Sequence, residues 1–293
     1  MSSFGYSGTI VHAVLQVNVA QEAALTAEKS LSSLRQNFER RDFSWIKAKH
    51  PFVQKPPSAS ATEQDSTFVL ACAGALYSLV ADHVLQGRVI FPGAAYLEAA
   101  RAASCYVEVA AGLHRVHFLH PLAVETAGLH VQCVVSQGRF ELRSGKLIGG
   151  LLDEASVHSS GYFGVISKGP RPLFAHAEER SCRTGHAVVV PAFYNVFESV
   201  QLQYGPEYRR LSRVWRGAQI AVAQLHVRTR WQSTKVHPAD LDAALQLSGI
   251  ILDSEKGSDG GSEGGAKTLV PFSVANAELH GAPRNLWAVS FGQ

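Results

Sequence analysis

Apolar and polar positions change period several times along this chain. TFVLACAGALYSLVADHVLQ, from Thr67, opens on a nearly continuous apolar run that predicts a buried strand over 68–81, closed by Asp82 and His83. PGAAYLEAARAAS has helix composition, with Pro92 at an early helical position where a missing N–H costs little. GLHRVHFLHPLAVE, LHVQCVVSQ, GRFELRS and SVHSSGYFGVI follow, and their alternation predicts antiparallel strands. A weaker echo comes next. PAFYNVFESVQLQYGPEY predicts a short helix and a turn, and LSRVWRGAQIAVAQLHVRT predicts two strands. PADLDAALQLSGIILDS predicts one helix, and KTLVPFSVANAELHGA and NLWAVSF predict further strands. SEKGSDGGSEGGAK reads as a flexible Gly/Ser loop, since nothing in it can be buried. The pattern therefore predicts an α+β chain of two halves, each an antiparallel sheet wrapped about a helix.

The start of the chain is different. SSFGYSGTIVHAVLQV leads into VAQEAALTAEKSLSSLRQNFERRD, which reads as helix, and then into a Pro- and Ser-containing linker. The expected divisions are 1–42, 43–165 and 166–293.

Composition narrows the function. At 293 residues, 46% apolar and 17% charged, the chain can bury a large core. A net charge of +3 with mixed signs gives no basic stripe and little support for nucleic-acid binding. Cys72, Cys105, Cys133 and Cys182 are widely spaced without C-x-x-C, so free thiols in a reducing compartment are expected. No signal peptide and no span of about 20 apolar residues is evident, so the expectation is a soluble, cytoplasmic protein away from membranes.

Three stretches can carry chemistry. In DHVLQGRVIFPGAAYLEAA, His83 precedes Gly87, which suggests a tight turn, and Pro92-Gly93, which opens a helix. A lone histidine in an apolar run can be a satisfied core residue. Here the helix start beside it can also hold a carbonyl oxygen that gains charge, and a neutral imidazole there can remove a proton alpha to a thioester. In HPADLDAALQ, Asp242 and Gln246 share a helical face. Asp240 fits a helix cap, leaving Asp242 among apolar neighbours, a setting that raises a carboxyl pKa as a general acid requires. Cap and acid remain equally good readings of that aspartate taken alone. In QYGPEY, Gly-Pro makes a turn from which Tyr204 can donate a hydrogen bond into a cleft.

H-x-x-x-G-x-x-x-x-P at His83, Gly87 and Pro92, followed by Gly93, resembles the signature of dehydratase domains of modular polyketide synthases and animal-type fatty acid synthases. Y-G-P-x-aromatic at Tyr204, Gly205, Pro206 and Tyr208 is similar to a second motif of that family, with Tyr where Phe is more usual. HPADLDAALQ from His237 to Gln246 is similar to the third, and LVPFSVANAEL resembles the strand that follows it. Together the resemblance spans roughly 43–293. SSFGYSGTIVHAVL resembles the closing segment of a ketosynthase, with Ser7 for a glycine and Ile10 for an asparagine.

This resemblance implies a double hotdog fold. It implies loss of water from a 3-hydroxyacyl thioester on an acyl carrier protein, with His83 as base and Asp242 as acid. The Gly93 N–H would hold the thioester carbonyl, while Tyr204 and Gln246 would position the hydroxyl and the acid; Gly87 and Pro92 would shape the site. No metal or organic cofactor is implied, since the phosphopantetheine arm belongs to the carrier protein. Neighbouring ketosynthase and ketoreductase domains are implied partners, pairing into a homodimer is common in the family, and the domain order is similar to synthases whose acyltransferase acts in trans. The chain is expected to be a piece of a larger assembly line that stops, at SFGQ, short of the last strand of its second half. Two rivals keep the fold: an isomerase, pyran-forming cyclase or product-template domain, and a non-catalytic scaffold. Of the remaining candidates, His114, His117 and His120 have strand spacing that sends neighbours to opposite faces, so no metal site is expected. His158 is expected to be structural. Arg209 and Arg210 are expected to be a solvated pair, with carrier-protein contact the alternative.

Overall fold

The structure is a computed structural model that describes residues 2–4, 10–16, 50–54, 65–107, 111–165, 185–252, 271–280 and 286–292. The helix expected over 19–42 and the Gly/Ser loop at 254–267 lie outside the described residues.

The front half is built on α2 (Gly93–Tyr106), whose sequence GAAYLEAARAASCY is rich in alanine, the strongest helix former. Every residue from Ala94 to Ser104 is buried, so this helix has no solvent face and must be enclosed. The strands β3 (Asp65–Ala71), β6 (Ala111–Phe118), β7 (Leu129–Ser136), β8 (Arg139–Ile148) and β9 (Leu151–Val165) enclose it. β7 alternates between buried and half-buried positions, as expected of a strand with one face on the core.

The run over 68–81 is not one strand. β3 ends at Ala71, Gly74 takes a φ of +56°, and α1 (Gly74–Val80) follows. Leu76, Leu79 and Val80, at helical spacing i, i+3 and i+4, are its buried positions. Continuous apolarity had hidden this period.

The rear half repeats the scheme on a shorter helix. α4 (Pro238–Gln246) is followed by a separate α5 (Ser248–Leu252), where one helix was expected. Ser248 Oγ bonds the Leu245 carbonyl at 2.5 Å and Ile250 N–H bonds the Leu247 carbonyl, a back-bonded, tightened turn where the helix breaks. Around them lie β10 (His186–Val188), α3 (Val190–Ser199), β12 (Leu211–Arg216), β13 (Ile220–Leu225) and β15 (Trp287–Gly292), while β14 (Ser273–Ala277) packs Val274 and Ala277 into the front core. The stretch similar to a ketosynthase tail supplies β1 (Ser2–Phe4) and β2 (Ile10–Gln16), which pair with β14 and β15.

These strands form one antiparallel ladder of 12, in the order β10-β12-β13-β15-β2-β1-β14-β6-β9-β8-β7-β3. The two expected sheets are thus edge-joined, and the double hotdog has its two helices, α2 and α4, packed against each other. Leu241 of α4 packs into the front core, whereas Ala239, Ala243 and Ala244 pack into the rear one.

A buried ion cluster ties the halves. Glu98, fully buried on α2, accepts from Arg101 at 2.6 and 2.8 Å, faces His50 Nε2 at 3.1 Å, and accepts from the Lys235 backbone N–H just ahead of α4 at 2.8 Å. A buried charge is tolerated only when paired in this way. Glu98→Ala leaves Arg101 buried without its partner, so urea unfolding is expected to show a loss of about 3–5 kcal/mol.

Candidate active site

β4 (His83–Leu85) and β5 (Arg88–Val89) form a hairpin through Gln86 and Gly87, whose φ values are +52° and +74°. Two successive positive φ values make the tight turn whose twist suits a hairpin, and glycine takes the second without a Cβ penalty. The hairpin brings the Ile90 carbonyl to 2.8 Å from His83 Nδ1. A carbonyl only accepts, so Nδ1 carries the proton of the neutral ring and Nε2 is left as its acceptor. Pro92 follows in an extended conformation, ψ 154°, as the N-cap of α2, one position earlier than expected. Gly93 opens the helix beneath Phe118 and Pro271, where a Cβ would stand 3.4 Å from each. Amides of a first helical turn lack intrahelical acceptors, so this end presents N–H donors.

The rear half reaches this hairpin through β11 (Leu202–Tyr204), which pairs antiparallel with β4 and sets Tyr204 opposite His83. Asp82 fixes the turn that follows. Its carbonyl accepts from Gly205 N–H and its carboxylate from Glu207 N–H, both at 2.7 Å. A Cβ on Gly205 would fall 2.4 Å from Asp82 Cγ, so the close approach requires glycine. The rings of Tyr204 and Tyr208 each lie 5.6 Å from the His83 ring. Tyr208, fully buried, donates its hydroxyl to the Leu79 carbonyl at 3.0 Å, a bond that phenylalanine would forgo.

α4 brings the acid. Asp242 and Gln246 are both buried, and Gln246 Nε2 donates to Asp242 Oδ2 at 2.9 Å. The Tyr204 hydroxyl and the His83 ring both lie near enough to the Asp242 carboxyl to act on its pKa. Burial pushes the Asp242 carboxyl above its usual range; His83, Gln246 and Tyr204 act the other way without cancelling it. His83, Tyr204, Asp242 and Gln246 are therefore gathered at one place, with Gly87, Pro92 and Gly93 setting the hairpin and helix start beside them.

Two family models match the chain: "Polyketide synthase dehydratase domain" over 50–145 and "Polyketide synthase dehydratase N-terminal domain" over 174–291. The chain belongs to the polyketide synthase dehydratase family. It is 26% identical over 219 residues to polyketide synthase PksN of Bacillus subtilis (69% of this chain, 4% of that one). To polyketide synthase ThaG of Burkholderia thailandensis it is 28% identical over 228 residues (72% and 4%). It thus spans about 4% of the length of these relatives. Among solved structures, the dehydratase domain of the CurK module of curacin polyketide synthase is similar, with TM-score 0.68 and 19% identity over 82% of this chain and 87% of that one. Inactive variants of that domain carry a histidine changed to phenylalanine or an aspartate changed to asparagine. A trans-AT dehydratase domain from Brevibacillus brevis gives TM-score 0.61 and 21% identity over 79% and 81%.

In this dehydratase-family site, the helix cap is not Asp240. The N-cap of α4 is His237, whose Nδ1 accepts from Ala239 N–H at 3.2 Å while Nε2 faces Gln232 Oε1 at 2.9 Å. Burial and the Arg228 charge hold the His237 ring neutral, with its pKa down to about 3, which keeps Nδ1 free to accept. Asp240 instead lies buried between Arg210 and Arg228, with contacts of 2.9–3.0 Å. Arg210 is therefore no solvated residue, and Arg209 is held by the Tyr204 carbonyl and Glu198. His114 and His117 flank a β-bulge; one bonds Asn276 and the other sits edge-on to Phe272. His158 faces Ser144 Oγ and the His120 carbonyl in the sheet. Among the described residues no group of three or more His, Cys, Asp or Glu is placed to hold a metal, and no helix is long and apolar enough to cross a membrane. Cys72, Cys105 and Cys133 are free. Sequence reasoning missed Asp82, Tyr194 and the His237 cap; only the HP before the aspartate helix hinted at the last of these.

Two expected outcomes follow from the packing. Gly205→Ala forces Asp82 to release the Glu207 amide, and thermal melting should show a loss of about 1–3 kcal/mol. A raised Asp242 pKa means that the protonated form stabilises the fold. That contribution is complete below the ordinary carboxylate pKa and lost as pH rises through the higher native value. Asp242→Asn should therefore gain stability relative to the parent on going from acid to alkaline pH, measured as the difference in Tm.

Proposed function

We propose that this domain eliminates water from a 3-hydroxyacyl thioester carried by an acyl carrier protein, giving the 2,3-enoyl thioester. His83 Nε2 takes the proton from the alpha carbon, the electrons of that C–H bond form the alkene, the bond to the 3-hydroxyl breaks, and the Asp242 proton leaves with the hydroxyl as water. The observation that carries this reading is the pairing of a base with an acid of opposite readiness. His83 is held in the tautomer that accepts at Nε2, and Asp242 is pushed toward its protonated form.

The coupling between them has the right sign. His83 becomes cationic as it takes the proton, and a nearby cation lowers the Asp242 pKa, so removal of the first proton promotes delivery of the second. The first turn of α2 at Gly93 supplies N–H donors to the thioester carbonyl, whose oxygen gains charge as the alpha proton leaves. Tyr204, beside Asp242, orients the hydroxyl, and Gln246 orients the acid. This chemistry asks for no group beyond the phosphopantetheine arm of the carrier protein. The partners in this reading are that carrier protein and flanking ketosynthase and ketoreductase domains of a cytoplasmic megasynthase, with a second copy of the domain as a further candidate. The polyketide synthase relatives and the similarity of 2–15 to a ketosynthase tail support this context.

A 3-hydroxyacyl carrier-protein thioester is expected to lose the mass of one water on incubation. His83→Ala and Asp242→Asn should each slow that loss by about 10²–10⁴-fold with unchanged circular dichroism. The rate should fall as pH rises through the raised Asp242 pKa, because the ionised acid cannot donate. Unchanged mass with a shifted alkene or a new ring would replace dehydration by isomerisation or cyclisation. Binding without any change would leave a scaffold.

A further inference from the structure

Behind Gln246 runs a hydrogen-bond chain whose direction is fixed at both ends. The Leu211 backbone N–H donates to the Tyr194 hydroxyl at 3.3 Å. A backbone N–H cannot accept, so the hydroxyl proton of Tyr194 points elsewhere, to Gln246 Oε1 at 3.1 Å. Gln246 Nε2 then faces the Tyr208 carbonyl at 3.2 Å and Asp242 Oδ2 at 2.9 Å. The Tyr208 carbonyl accepts only, which rules out the flipped amide. Asp242 Oδ2 thus always receives an N–H, and since the carbonyl oxygen of a neutral carboxylic acid is its better acceptor, this bond favours the acid proton on Oδ1.

We infer that Tyr194 is a positioning residue that, through the Gln246 amide, fixes which oxygen of Asp242 carries the transferable proton. The inference rests on Asp242 being the acid of the proposed reaction and assigns a role to a residue outside the three motifs. Tyr194 is buried on α3, and its ring is held by Phe193 at 5.6 Å, Tyr204 at 6.1 Å and the Arg209 guanidinium 5.3 Å above it. Its hydroxyl does not touch the acid, so it acts only by polarising and orienting the amide. A stronger Tyr194 donor strengthens the N–H that Gln246 gives to Asp242, which favours the carboxylate. The other groups facing Asp242 are His83 from β4, Tyr204 from β11 and Tyr208 from the turn. Asp240, two residues away, stays engaged by Arg210 and Arg228, and Glu98 on α2 by Arg101.

The test is the titration of Asp242 itself, followed by NMR in protein labelled with [13C]aspartate, the resonance being assigned by its loss in Asp242→Asn. Tyr194→Phe should move the midpoint upward. Site-specific 3-fluorotyrosine at position 194, a stronger donor of nearly the same shape, should move it downward and remains readable if the Phe variant folds poorly. Gln246→Ala should raise the midpoint, and Tyr194→Phe in that background should add nothing, because the route is gone. In turnover, Tyr194→Phe should lower kcat by roughly five- to tenfold, the scale of one hydrogen bond, with KM little changed. A midpoint indifferent to position 194, or one that shifts equally with and without Gln246, overturns the inference. The titration needs no substrate, so it is read separately from any failure to lose water.

Discussion

The site exists because two short strands from opposite halves of the chain pair with each other. β4 and β11 contribute only three residues each, yet their register sets His83 opposite Tyr204. Everything needed at the reacting centre is referred to that pairing. The Gln86–Gly87 turn folds β5 back so that Ile90 fixes the imidazole tautomer, and the same hairpin delivers Pro92 and Gly93 to the start of α2. On the other side, Asp82 clamps the turn after Tyr204 through two backbone amides, so that Tyr208 closes over the imidazole. A strand pair this short is marginal alone. It persists because β4 leads through β5 into the buried α2 and because glycine at 205 allows the chains to touch.

α4 shows how environment separates two identical side chains. Asp240 and Asp242 are two residues apart and both buried. Asp240 meets two guanidinium groups and serves as an ionic anchor. Asp242 instead has His83, Gln246 and Tyr204 beside it; desolvation prevails over them and its carboxyl is shifted upward. The distinction comes from which element faces each turn of the helix. The turn before β12 and the loop after β13 provide Arg210 and Arg228 to one face, while β4, β11 and α3 provide His83, Tyr204 and Tyr194 to the other.

The core divides the labour in the same way. α2 is buried on every side and holds its one acidic side chain in a closed cluster with Arg101, His50 and the amide of Lys235. That cluster joins the front helix to the chain segment entering α4. The relative placement of base and acid thus depends on a polar tie as well as on the shared apolar packing of Leu241.

Residue types and local spacing were enough to determine the α+β composition, the two helix-plus-sheet halves and the turn at Gly87, because each depends on neighbours within a few positions. His83, Tyr204, Asp242 and Gln246 were legible as candidates for that reason. What only tertiary structure decided is what each of them touches. Apolar continuity over 68–81 concealed a helix, since the period of a short buried helix cannot be told from a strand by apolarity. The cap of α4 fell to His237, and Asp240 went to two arginines distant in sequence. Tyr194, which has no local signature, acquired its place because the Leu211 backbone and Gln246 converge on it from other elements. Local sequence fixes conformational preference, whereas desolvation and hydrogen-bond direction belong to groups that meet only after the chain has folded.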